Sequence, residues 1–135
     1  MNFKQVVENI LSTSKDLPMV NEVGYGDIYE HLNSGNHKYP CVFLTVDNVT
    51  TDSNFGQDTI NGTLFYVDRL LDNCKNKIDI QSCAITTLED LNIKFQEAYG
   101  IMAEANVTLF TEQFSDMCAG GYMPIQITYL QDSLC

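Results

Sequence analysis

The amino-acid sequence predicts an α+β domain. Its expected core is a four-stranded, mainly antiparallel sheet of two hairpins with helices packed on one face. The expected order is helix, short helix, strand, strand, helix, strand, strand. Three observations lead there. Two stretches, Phe3 to Leu11 and Ile80 to Ala98, carry apolar residues at helical spacing. Between them, Cys41–Val46 and Ile60–Leu71 are rich in β-branched and aromatic residues and flank a polar turn. A second pair of such runs, Val107–Thr111 and Tyr122–Leu130, closes the pattern. Hairpins separated by helices indicate layered α+β packing, and a chain of 135 residues fits one domain, spanning 1–135.

Phe3, Val6, Val7, Ile10 and Leu11 place one apolar face on a helix over Asn2 to Ser14, which Pro18 keeps from continuing. Met19 to Gly26 reads as a connection with one extended piece. Asp27 followed by Glu30 has the form of a capping box and starts a short helix through Leu32. The strand entered at Tyr39-Pro40 runs from Cys41 to Val46 or as far as Thr51. Asp52 to Asp58 is a turn of the residue types turns favour. Asp79 or Ser82 caps the long helix, which stops at Tyr99-Gly100. Ser115 to Gly121 reads as a glycine-rich loop, and Pro124 marks an edge or a strand entrance.

Seven basic residues stand against eighteen acidic ones, a formal charge of −11. Tight nucleic-acid binding draws on Lys and Arg releasing counterions from phosphate, so this balance argues against it and against anionic membranes. No run approaches the roughly 20 apolar residues of a membrane helix. Glu8 and Asn9 break any signal-peptide core. The five cysteines are widely spaced without a C-x-x-C pair, which fits a reducing cytoplasm. Cys41 and Cys83 read as small core residues. Three Asn-x-Thr sequons, at Asn48, Asn61 and Asn106, read as chance matches in an Asn-rich chain.

A catalytic nucleophile needs a base within hydrogen-bond reach. The two histidines, His31 and His37, lie beside no recognisable nucleophile turn. With Cys41 they supply three metal ligands, but without the paired spacing and fourth ligand of a zinc site. Asp47, Asp52 and Asp58 lack the periodic pattern of a calcium loop. Gly24-Tyr25-Gly26 and Ala119-Gly120-Gly121 match no phosphate-binding loop. The expectation is therefore no catalytic residue, no cofactor and no metal. Phe55 stands apart, an aromatic among polar residues at the hairpin tip. It either packs on the hairpin's own stem or anchors a partner. The candidate interface is Asp52, Asn54, Phe55 and Asp58.

The leading amphipathic helix, Tyr39-Pro40 before the apolar run Cys41–Val46, the long polar-tipped hairpin, the helix and the closing hairpin together resemble the tail-terminator and head–tail completion proteins of tailed bacteriophages. The resemblance spans nearly the whole chain. It implies a non-enzymatic subunit of a homo-oligomeric ring in a virion, assembled in the bacterial host cytoplasm. It also implies portal, adaptor or tail proteins as neighbours, with DNA passing through the lumen. Sheet edges invite pairing, and rotationally closing contacts would satisfy them in such a ring. The alternative is an acidic monomeric inhibitor that mimics DNA. It would require clustered charge, whereas Glu8, Asp27, Asp52, Asp72, Glu89 and Asp116 are spread along the chain.

Overall fold

A computed structural model of the chain describes residues 2–33, 38–71, 75–100, 106–113 and 117–131. The elements are α1 (Phe3–Lys15), β1 (Glu22–Tyr25), α2 (Ile28–Asn33), β2 (Cys41–Asp52), β3 (Gln57–Arg69), α3 (Lys77–Tyr99), β4 (Thr108–Gln113) and β5 (Met117–Leu130). The strands form one five-stranded sheet in the order β1-β2-β3-β5-β4.

This overturns the expected four-stranded sheet of two hairpins. The added strand is β1, which lies parallel to β2, with Glu22 opposite Cys41 and Tyr25 opposite Leu44. The sheet is therefore mixed. β1 is only four residues long and shows no alternation of buried and exposed positions, so periodicity does not announce it. Main-chain pairing makes it a strand, and its flanks are tied down. The Asn21 amide donates to the Pro40 carbonyl at 2.9 Å and the Gly26 amide to that of Leu44 at 3.1 Å.

The helices do not all share one face. Val6, Val7 and Ile10 of α1 and Ile80, Ala84, Leu88, Leu91 and Phe95 of α3 pack with Val42, Leu44, Leu64, Met123, Ile125 and Ile127. A second, smaller cluster joins Ile28 of α2 to Cys41, Phe43, Val67 and Cys118. Alternate side chains of a strand point to opposite faces, so Cys41 to Leu44 are buried from both sides. That double burial is why they read as an unbroken apolar run.

The glycine-rich stretch expected as a loop is strand from Met117 onward; residues 114–116 lie outside the described residues. Its glycines permit close approach rather than a turn. A Cβ on Gly120 would collide with the Tyr66 carbonyl oxygen across the ladder, and one on Gly121 would lie 2.9 Å from the Val107 side chain.

The helix ends follow local chemistry. Asn2 and Gln5 form a reciprocal capping box on α1, and the Glu30 amide donates to the Asp27 carboxylate at 3.1 Å. α3 begins at Lys77, ahead of both expected caps. The Asn76 side chain instead accepts from the Leu71 amide at 2.8 Å and donates to the Arg69 carbonyl at 3.1 Å, fixing the exit from β3. Cys41 is buried as expected, but Cys83 is exposed. The buried stripe of α3 runs through Ile80, Ala84, Thr87 and Leu88, and Cys83 stands one step off it. Among the described residues no helix is long and apolar enough to cross a membrane.

Candidate functional site

The sheet is not evenly wide. β1 pairs with β2 only as far as Leu44, and β4 pairs with β5 only from Met117 to Tyr122. β3 stays paired on both sides from Gln57 to Val67. The outer halves of β2, β3 and β5 therefore project as a three-stranded arm. Among the described residues no strand pairs with the outer edge of β2 from Val46 to Asp52, nor with that of β5 from Met123 to Leu130. Pro124, lacking an amide proton, sits just where β5 becomes such an edge, a position proline tolerates.

The arm's two faces differ. Ile60, Ile125, Ile127 and Tyr129 are buried towards the helices. On the other face lies a polar ladder. The Asn61 side-chain amide donates to Asn48 at 2.9 Å, Gln126 donates to Asn61 at 3.3 Å, and the Thr59 and Thr128 hydroxyls meet at 2.9 Å. Two of the sequon asparagines thus serve as ladder partners. From Cys41 to Asp68 the sequence holds no Lys, Arg or His, so the arm's charges are the carboxylates Asp47, Asp52 and Asp58.

At the tip, residues 53–56 connect β2 to β3. The Asp52 carboxylate accepts from the amides of Asn54 at 3.1 Å and Phe55 at 3.4 Å. The Gln131 amide donates to the Gly56 carbonyl at 2.7 Å, and its side chain donates to the Asp58 carboxylate. Asp52 and Asp58 thus each commit an oxygen to holding the turn. Phe55 points outward and is 74% exposed. The four expected interface residues are brought together here, two as braces and Phe55 as the group presented.

A second constellation lies at the opposite end of β2. Glu22 of β1, His31 of α2 and Cys41 of β2 each direct one donor atom into a common space, all three within 4.8 Å of one another. His31 Nε2 is 3.5 Å from a Glu22 carboxylate oxygen. The His31 ring packs on Phe43, with centroids 4.5 Å apart. Gly24 makes this possible, since a Cβ there would lie 2.7 Å from the Phe43 ring and 3.1 Å from His31 Cε1. Burial pushes the Cys41 thiol up to about 12, and the charge of Glu22 and a hydrogen bond to it add to that effect.

Sequence reasoning linked His31 and Cys41 but missed Glu22; His37 lies outside the described residues. The parallel register of β1 sets Glu22 directly opposite Cys41, and only recognising β1 as a strand could have found it. The pair His31–Cys41 does not make a nucleophile. A reactive cysteine needs a lowered pKa and access to solvent, whereas Cys41 is fully buried with a raised one.

Compared with protein-family models and with curated proteins, the chain matches none.

Proposed function

We propose that the chain is a non-enzymatic assembly subunit that builds a ring in the tail or neck of a tailed phage. The observation that carries this reading is the three-stranded arm, whose two outer edges lack strand partners among the described residues. Unpaired edges are templates for pairing with another chain. An arm with a different edge on each side suits head-to-tail contact, in which the β2 edge of one copy meets the β5 edge of the next and closes by rotation. The braced tip adds a rigid, exposed aromatic, the kind of residue that anchors interfaces. Further copies of the chain, and portal, adaptor or tail proteins, are the neighbours such a tip would reach, in a virion assembled in the host cytoplasm. The acidic surface would keep DNA phosphates from adhering as they pass a lumen. The DNA-mimic alternative gains nothing from the arm, where two of three carboxylates brace the turn.

Native mass spectrometry of the purified chain across a concentration series tests the ring. A discrete six- or twelvefold species is expected. A chain monomeric at every concentration would remove self-assembly from the proposal.

A further inference from the structure

We propose that Glu22, His31 and Cys41 form a binding site for a divalent transition-metal ion of the zinc class, which clips α2 and the edge strand β1 to β2. The three donors are a carboxylate oxygen, an imidazole nitrogen and a sulfur, and each comes from a different element. Their mutual separations, all within 4.8 Å, leave room for one ion. The 3.5 Å between His31 Nε2 and the Glu22 oxygen is close to the edge of a tetrahedron with metal–ligand bonds of about 2.0–2.2 Å.

Charge and softness select the ion. Binding replaces the thiol proton of Cys41 with the metal and releases that proton to solvent. The resulting thiolate and the Glu22 carboxylate together neutralise a doubly charged cation, which removes most of the penalty for burying it. A thiolate beside an imidazole disfavours magnesium and calcium, which take oxygen ligands, and favours zinc or cobalt. The Glu22 and His31 side chains are 27% and 24% exposed while His31 Nε2 itself is buried, so the site lies just beneath the surface, where one water would complete a tetrahedral set.

The site is also built rather than accidental. Cys41 is fixed in the β2–β3 ladder opposite Val67. β1 is pinned at both ends by its bonds to Pro40 and Leu44. His31 lies in a slot that only the missing side chain of Gly24 leaves open. The same three groups could instead be held by hydrogen bonds alone, with the Cys41 thiol and the His31 imidazole both turned to Glu22. Metal titration separates the two.

The full chain, reduced and stripped with chelator, is titrated with Co²⁺ and then with Zn²⁺. The expected result is a near-ultraviolet thiolate-to-cobalt charge-transfer band that saturates at one ion per chain and is bleached by Zn²⁺. Glu22→Gln and His31→Gln should each weaken Co²⁺ binding by at least the order of tenfold, while Cys83→Ser leaves it unchanged. Cys41→Ser should abolish the band, but that residue is a buried ladder position, so the two partly exposed variants decide the matter once circular dichroism shows them folded. Absence of the band in the parent chain overturns the proposal. So does a band of undiminished affinity in both Glu22→Gln and His31→Gln.

Discussion

Replacing Phe55 with alanine separates what the hairpin tip does for its own chain from what it does for a partner. The ring is 74% exposed, so about a quarter of it touches the hairpin. A phenylalanine side chain can bury roughly 150–250 Å². At about 25 cal/mol per Å² the quarter in contact contributes about 1 kcal/mol to the fold. The rest contributes about 3 kcal/mol only where another chain covers it, which is on the order of a 100-fold change in affinity per contact. The Asp52 and Gln131 braces bond to main chain and to Asp58, not to the ring, so the turn should survive the change. The assay has two arms. Urea denaturation at a concentration where the chain is dissociated should show a loss near 1 kcal/mol. Sedimentation equilibrium should show association weakened by about two orders of magnitude. A loss of about 3 kcal/mol in the fold with association unchanged would mean the ring packs inward in solution, and the tip would no longer be an interface.

Three further outcomes follow from the same geometry. Gly120→Ala drives a methyl into the Tyr66 carbonyl across the β3–β5 ladder; overpacking of this kind costs about 1–3 kcal/mol, a fall of roughly 3–10 °C in Tm for a chain of this size, and an unchanged melting curve would show that β5 is placed wrongly. Burial raises the Asp68 carboxyl above its ordinary value, with the hydrogen bond from the Arg69 amide opposing this. Its penalty is therefore absent below the unfolded-state pKa and grows as pH rises through the folded one. Asp68→Asn should melt higher than the parent near pH 7.5, with the gain gone once pH falls below the usual carboxylate range, and a variant that melts lower at pH 7.5 would contradict this. Iodoacetamide mapping of the native chain at neutral pH should label exposed Cys83 and spare buried Cys41 and Cys118 until denaturant is added; early labelling of Cys41 would show that its strand opens in the native state.

Much of this fold was legible from periodicity. Val6, Val7 and Ile10 announce α1, and Ile80, Ala84, Leu88, Leu91 and Phe95 announce α3, because a helix on a sheet must bury one stripe. The β2–β3 hairpin was legible because its turn is built of Asp, Ser, Asn and Gly, whereas the same residues left open whether Phe55 packs on the stem or faces outward, and the structure leaves it exposed. What escaped was decided by tertiary contact. β1 has too few residues for a pattern and becomes a strand only by lying beside β2. Gly120 and Gly121 carry the signature of a loop, yet what they admit is the backbone of β3 and the side chain of Val107 just before β4. The cluster of Glu22, His31 and Cys41 depends on a parallel register and on the side of the sheet that α2 takes, and neither is written in local spacing.

The arm's composition also sets an order of events during synthesis. β2 and β3 leave the ribosome together, but the third strand, β5, and the Gln131 that braces the tip follow only after α3 and β4. Until then β3 has one exposed flank, Leu64 lacks Met123 across the ladder, and the inner face of α3 lacks the strand it packs against. A nascent chain therefore carries an unfinished arm with the wrong edge outward. The β5 edge comes into being only when the late strand docks, so under the proposed head-to-tail contact folding itself would time when one copy can begin to join another.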